Sequence, residues 1–216
     1  DAVDTASIWK TKHALGIEHD EAKLDWDESL AGINELRRKL ASRARGHVLE
    51  SAAGTGRQVG MYDGQKVQSL TLVDQSSAML DFARDKWTKR KIQIATRFLL
   101  GDLGRDEVGE HLKPPGEDKF DTVVQTMGLC STPEPVTMLK NLGKVVAPDG
   151  QILLLEHGRG KWRWLNRLLD HTALDHAKEH GCWWNRDIED IVKKSGLEIE
   201  EFETHNFGTL FWIVLK

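Results

Sequence analysis

Short apolar runs alternate along this chain with longer segments whose apolar residues recur three and four positions apart, the pattern of β-α-β units feeding a mostly parallel sheet. Strands are expected at His47–Glu50, Ser69–Val73, Thr96–Leu100, Phe120–Gln125, Ile152–Glu156, Leu197–Phe202 and Leu210–Leu215. Helical spacing covers Glu28–Ala44, Ser77–Thr88, Pro135–Val146 and Arg186–Lys194. The stretches Lys113–Lys119 (KPPGEDK) and Ala147–Gln151 (APDGQ) read as turns, because Pro and Gly supply the dihedrals that separate one element from the next. The last two strands are joined by the short Glu203–Thr209 segment, which has no room for a crossover helix. An antiparallel hairpin at the C-terminal edge follows. At 216 residues and 39% hydrophobic content, the chain suits one α/β domain.

Charge and cysteine usage narrow the function classes. A formal net charge of −4 argues against binding nucleic acid through bulk positive charge. Cys130 and Cys182 lie far apart, in no CxxC pair and no zinc-ligand spacing, so they read as reduced thiols without a metal. No apolar run approaches the length of about 20 residues that spans a bilayer. The start at Asp1 instead of Met suggests a processed or trimmed chain whose targeting or anchoring segment lies upstream.

The stretch His47–Asp63, HVLESAAGTGRQVGMYD, ends an apolar strand in a carboxylate and then turns to small residues. Glycines after a strand and opening a helix let the backbone approach a ligand, and unpaired N–H groups there favour an anion. In a dinucleotide fingerprint counted from Gly54 and Gly56, the third glycine would fall at Val59; Gly60 is one place late. A diphosphate ligand therefore loses ground to one carrying an amino acid, whose ammonium Glu50 could accept. Asp74 ends the next strand 20 residues beyond Gly54, where an acid can accept both hydroxyls of a ribose. Asp102 ends the third strand and could accept an adenine amine. Amino acid, ribose and adenine together describe S-adenosylmethionine. Plainer roles stand beside these: an ordinary tight turn at Gly54 and Gly56, a helix cap from Asp74, Ser76 or Ser77, and a cap of the following segment from Asp102.

The set Glu50–Gly56 (ESAAGTG), Leu72–Arg84 (LVDQSSAMLDFAR), Gly101–Leu103 (GDL), Phe120–Pro135 and Leu142–Arg159 resembles the successive motifs of class I S-adenosylmethionine-dependent methyltransferases. The resemblance covers about residues 45–160. It is nearest in flavour to the UbiE-like group of quinone-precursor methyltransferases. The tail is similar to fungal mitochondrial inner-membrane methyltransferase-like proteins and to animal membrane-associated thiol methyltransferases. What the resemblance implies is a Rossmann-like, seven-stranded, mostly parallel sheet with an antiparallel C-terminal strand and helices on both faces. It further implies S-adenosylmethionine as cofactor, S-adenosylhomocysteine as product, and a mitochondrial location. Cofactor contacts are implied at Glu50, Ala52, Gly54, Gly56, Asp74, Gln75, Asp102 and Gln125. Ala52 departs from the family, many members of which carry a glycine there.

On this reading residues 1–45 form an N-terminal helical cover, 46–157 the cofactor-binding core, 158–185 an aromatic lid, and 186–216 the last helix and hairpin. Methyl transfer is an in-line displacement, so alignment and exclusion of water matter most, and a phenol, thiol or acidic carbon needs only a modest base. His157, after the fifth strand, is the first candidate for that base, with a backbone-bonded structural role as its rival. Gln125 and Thr126, at the end of the fourth strand, face the methyl or simply cap the strand. Asp170, His171, Asp175, His176 and His180 recur at near-helical spacing, more in keeping with a polar helix face than a metal cluster. Trp162, Trp164, Trp183 and Trp184 pack the lid onto the sheet, or some face the acceptor or, with Lys161, Arg163 and Arg167, a membrane surface. The expected activity is methylation of O, C or S on a small hydrophobic or aromatic acceptor. Its rivals are a non-enzymatic assembly or RNA-associated factor and an rRNA methyltransferase.

Overall fold

The computed structural model describes residues 32–90, 92–105 and 112–216, together with Val3 and Ile8. Seven strands, β1 (Gly46–Ser51), β2 (Val67–Asp74), β3 (Ala95–Leu100), β4 (Phe120–Thr126), β5 (Val146–His157), β6 (Ile199–His205) and β7 (Leu210–Leu215), form one sheet in the order β3-β2-β1-β4-β5-β7-β6. Strands β1 to β5 pair in parallel, and β7 runs antiparallel to both β5 and β6. The helices are α1 (Ile33–Ser42), α2 (Ser77–Lys89), α3 (Pro135–Val145), α4 (Arg163–His180) and α5 (Ile188–Ser195).

Alternation along the central strands sorts their side chains into two cores. Val48, Leu70, Val124, Leu153 and Trp212 pack on one face with residues of α1 and α2, such as Leu40 and Leu80. Their chain neighbours Leu49, Val123, Leu154 and Ile213 pack on the other face with Leu139 and Leu142 of α3 and Ile188 and Val192 of α5. Both faces of these strands are therefore apolar, which is why they read as continuous hydrophobic runs. Local signals set the ends of the helices. Ser76 caps α2 by accepting the Met79 N–H, Asp187 caps α5 by accepting that of Asp190 at 3.0 Å, and Gly196 ends α5 with φ 76°.

Several boundaries differ from expectation. The residues Ala147–Gln151 do not separate α3 from the fifth strand: α3 ends at Val145 and β5 begins at Val146, with a register shift against β4 absorbing the Pro-Asp-Gly segment. The sixth strand is Ile199–His205, so the hairpin turn shrinks to a single 3₁₀ turn at Asn206–Gly208. The predicted helix Glu28–Ala44 is seen as Ile33–Ser42; its first residues and Trp26 lie outside the described residues. Within the expected lid the chain forms the 18-residue helix α4.

The strand order reverses direction between β1 and β4. In an open parallel sheet the crevice beyond the carboxyl ends of such strands is where a ligand fits. Glu50 and Ser51, Asp74, Thr126, and Glu156 and His157 all sit at that rim.

Candidate active site

A cavity of about 760 Å³ opens at this rim. Glu50, Ala52, Gly54, Asp74, Gln75 and Asp102 line it, and His157 lines it further along. Of the other residues singled out by sequence, Gly56 and Gln125 are not part of its wall.

The loop after β1 departs from the expected helix start. Residues 54–61 form successive tight turns in which Gly56 N–H bonds to Ala53 O, Val59 N–H to Gly56 O, and Met61 N–H to Gln58 O. Positive φ at Gly54 (54°), Gly56 (70°) and Gly60 (83°) repeatedly breaks the α-helical repeat. A Cβ at Gly54 would meet nothing within 4 Å, so the bare backbone there faces open space. At Gly56 it would lie 2.7 Å from Val59 Cγ2 and 3.0 Å from Ala83 Cβ, so that glycine serves close packing against α2. Ala52 itself adopts φ 49°, a left-handed conformation that costs a non-glycine residue about 1 kcal/mol.

Asp74 holds this loop. Its Oδ2 accepts the Gly54 N–H at 2.8 Å and its Oδ1 the Ser76 N–H at 2.9 Å. Burial raises the Asp74 carboxyl, partly countered by these two backbone donors and reinforced by the nearby Asp102 charge. Asp102 accepts the Gly104 N–H at 3.0 Å while facing the same cavity. Glu50, 3% exposed, accepts the Tyr62 hydroxyl at 2.7 Å, and Tyr62 in turn accepts from Gln58 at 3.1 Å. Burial pushes the Glu50 carboxyl from its usual 4.5 up to about 7, against the opposing pull of the Tyr62 and Gln58 hydrogen bonds and of Arg37. Arg37, from α1, is 2% exposed, donates to Thr126 Oγ1 and lines the cavity. The sequence treated its segment only as a cover.

At the far end, Glu156 is fully buried and braces the loop after β4: Oε1 accepts from Gly128 N at 3.0 Å and Gln125 Nε2 at 3.1 Å, and Oε2 from Leu129 N at 3.1 Å. Gln125 spans from Glu156 to Ser51, whose hydroxyl donates to it at 3.0 Å. Burial raises the Glu156 carboxyl to about 7. Helix α4 closes the opposite side of the cavity. His176 stacks on Trp184 at 3.8 Å, and burial lowers its pKa to about 4; the Trp184 indole donates to Leu169 O at 3.1 Å. Asp170 is taken up by Arg159 (2.8 Å) and Asn185 (2.9 Å). Trp162 and Trp164 are 56% and 64% exposed, so they do not pack the lid down.

A family model described as a methyltransferase domain matches residues 26–201. The chain belongs to this methyltransferase family. It is 34% identical over its whole length to the mitochondrial methyltransferase OMS1 of Saccharomyces cerevisiae, covering 46% of that protein. It is 31% identical over 135 residues to the ubiquinone/menaquinone biosynthesis C-methyltransferase UbiE of Idiomarina loihiensis, covering 59% of this chain and 49% of that one. The chain thus spans about half the length of these curated relatives. Among solved structures, the TehB-like SAM-dependent methyltransferase of Corynebacterium glutamicum superposes with a TM-score of 0.57 at 17% identity, over 92% of this chain and 96% of that one, which shows the shared fold.

In this methyltransferase domain the reading of the cysteines as isolated residues needs correction. The ends of β4, β5 and α4 bring Cys130, His157 and Cys182 together, with their ligand atoms within 4.8 Å of one another and His157 Nε2 3.0 Å from Cys182 Sγ. Both cysteines are free thiols. Cys130 is lowered well below the usual thiol range by its hydrogen bond with Cys182 and by His157, against the effect of burial. No spacing rule could have found this group, since its members come from the loop after β4, the end of β5 and the loop after α4. The acidic and histidine positions 170, 171, 175, 176 and 180 form no such group among the described residues.

Proposed function

We propose that this domain transfers the methyl group of S-adenosylmethionine to a small hydrophobic or aromatic acceptor, leaving S-adenosylhomocysteine. The observation that carries this reading is the order of polar groups around one cavity. A buried cation, Arg37, and a buried acid, Glu50, suit the carboxylate and ammonium of the methionine part. Asp74 retains lone pairs for the ribose hydroxyls beyond its two backbone bonds, and Asp102 lies next to it for the adenine amine. Ala52, Gly54 and Gln75 complete the wall, Gly56 holds the loop's shape, and Gln125 acts through Ser51 and Glu156 instead of touching the ligand. The fold-sharing SAM-dependent structure supports the same cofactor.

The sulfonium methyl would then point toward the end of the cavity formed by Thr126, Met127, His157 and Trp184. There the protein's work is to align an acceptor and keep water out, with His157 placed to take the proton of a phenol, thiol or acidic carbon. The likeness to the yeast protein suggests mitochondria as the location.

Calorimetric titration with S-adenosylhomocysteine tests this reading, and its pH dependence carries a specific signature. The ammonium pairs only with ionised Glu50. Because Glu50 in the unliganded protein holds its proton up to about pH 7, binding below that pH must first expel it. Affinity is therefore expected to fall about tenfold for each pH unit below 7, and to fall again at alkaline pH as the ligand's own ammonium loses its proton. In Glu50→Gln that slope should vanish along with most of the affinity. Absence of binding to the folded wild-type protein at pH 8 would overturn the cofactor assignment.

An exposed apolar patch supports association with a membrane surface. Trp162, Trp164 and Leu168 (55% exposed) project from the start of α4 among Lys161, Arg163 and Arg167. Phe207, 81% exposed, is nearby, since a Cβ on Gly160 would lie 3.2 Å from its carbonyl oxygen. Interfacial aromatics with basic neighbours suit an anionic bilayer. Co-sedimentation with vesicles containing anionic lipid is expected to retain the protein, and Trp162→Ala/Trp164→Ala to weaken retention at least tenfold. Equal sedimentation of both proteins would refute it.

A further inference from the structure

From the convergence of Cys130, His157 and Cys182 we infer a three-ligand site for a soft divalent cation, zinc by its chemistry, whose fourth coordination position faces the acceptor end of the cavity and takes a thiol. The donor set is two thiols and one imidazole, which selects zinc over the hard, oxygen-seeking cations. All three residues line the cavity, Cys130 at 1% and Cys182 at 7% exposure, so the group is sheltered yet opens onto the site. Tetrahedral bonds of about 2.3 Å to sulfur and 2.0 Å to nitrogen place ligand atoms about 3.5–3.8 Å apart. The three atoms already lie within 4.8 Å of one another. The 3.0 Å contact between His157 Nε2 and Cys182 Sγ must widen by about half an ångström as the hydrogen bond gives way to two metal bonds, and the widest pair must close by up to about 1 Å.

The surroundings hold these ligands in place. The Cys130 carbonyl accepts the Trp183 N–H at 3.0 Å, tying the loop after β4 to the loop after α4 on which Cys182 sits. Glu156 fixes the start of the same β4 loop through Gly128 and Leu129. Such supporting hydrogen bonds are what a metal site needs to keep its geometry. Three protein ligands leave one position open, the arrangement of catalytic and not structural zinc.

The open position explains why a soft metal should stand beside a methyl donor, an extension that rests on the cofactor reading above. A thiol entering it gives its proton to water as the metal–sulfur bond forms. Its sulfur then attacks the sulfonium methyl: the new S–CH₃ bond forms as the donor's C–S bond breaks, with that electron pair staying on the donor sulfur. With the metal in place, His157 holds the acceptor's site instead of taking its proton.

Cobalt(II) provides a probe independent of methyl transfer. The full chain, reduced with a phosphine, freed of reductant and metal under anaerobic conditions, and shown to hold two titratable thiols, should take up one equivalent of cobalt(II). It should then display thiolate-to-cobalt charge-transfer bands and the strong visible bands of a tetrahedral site. Cys130→Ser and Cys182→Ser should each lose at least half of the charge-transfer intensity, and thermal melting checks that they fold. Benzyl mercaptan added to the wild-type complex should increase that intensity by about half, as a third thiolate joins. The wild-type spectrum needs no variant and no cofactor, so it stands whether or not S-adenosylhomocysteine binds. No stoichiometric uptake by the reduced chain, or uptake without thiolate bands, would overturn the metal site. An unchanged spectrum on adding the thiol would overturn the open position.

Discussion

Asp74→Ala is expected to lower the affinity for S-adenosylhomocysteine by at least 100-fold. Two losses combine. The carboxylate's remaining lone pairs no longer meet the ribose hydroxyls, and hydrogen bonds to a charged acceptor are worth about 1.5–3 kcal/mol each. The Gly54 N–H also loses its acceptor, so the loop that presents bare backbone to the cavity loses the bond that holds it to β2. The buried Ser76 N–H is stranded at the same time, and a melting temperature several degrees lower should accompany the binding loss. Asp74→Asn separates the two effects. Its single oxygen can serve one backbone donor while its NH₂ opposes the other, so it should melt between wild type and Asp74→Ala and still bind at least tenfold more weakly than wild type. Calorimetry on variants that melt cooperatively provides the readout. Near-wild-type affinity in folded Asp74→Ala would remove Asp74 from the ligand contacts and confine it to bracing the loop.

Much of the fold was legible because burial on both faces writes itself into the sequence. β1, β2, β4 and β7 were found within two residues at each end, since Val48 and Leu49, or Val123 and Val124, must both be apolar to fill opposite cores. The β3 edge, Ala95–Leu100, was as legible, within one residue of expectation, but the β6 edge was not. β6 carries Glu200, Glu201 and Glu203 and packs mainly on one side, so its composition resembles a loop and its end was misplaced. The Pro-Asp-Gly segment before Gln151 looks like a turn because its residues favour one, and it has no partners in β4: the ladder steps from Val146, opposite Phe120, to Gln151, opposite Thr122, so the segment is an irregularity inside β5 and not a break before it. At the site, Glu50, Asp74 and Asp102 were visible because a carboxylate closing an apolar run is rare, whereas Glu156, placed the same way, was overshadowed by His157 beside it. Arg37 was not visible, since a basic residue on an amphipathic helix ordinarily points to water, and only the position of α1 over the cavity buries it. Cys130 and Cys182 were seen as unrelated because 52 residues separate them, and only the shared rim of the sheet brings them together.

The largest stability effect is expected at Glu156, which sequence reading passed over in favour of its neighbour His157. A carboxylate at the end of Ile-Leu-Leu-Leu, with no exposure to solvent, must be matched by donors, and three of them converge on it. Glu156→Ala leaves the Gly128 and Leu129 N–H groups and the Gln125 amide without an acceptor, at about 1–3 kcal/mol for each group left unsatisfied. Against that stands the cost of burying the carboxyl itself, visible in its rise to about 7. The sign of that cost follows from linkage. The folded chain holds the proton more tightly than the unfolded one, so stability from this group is present at low pH and is lost as pH rises from 4.5 to 7, by on the order of 3 kcal/mol. At pH 7.5, where that cost is in force, the net loss on substitution is expected to be about 3 kcal/mol, a fall in melting temperature of about 6–12 °C for a chain of this size. Glu156→Gln retains the shape and one acceptor oxygen but turns an NH₂ toward a backbone N–H, so it should lose about half as much. The consequence reaches function because Glu156 shapes the loop that carries Cys130 and holds Gly128, the chain neighbour of Met127, whose φ of 54° persists only while its surroundings enforce it. The Met127 N–H bonds to Leu155 O at 2.9 Å, next to Glu156 in the chain. Urea unfolding at pH 7.5 measures the loss directly. A Glu156→Ala protein as stable as wild type would mean that the β4 loop finds other acceptors and that the carboxylate does not hold the fold.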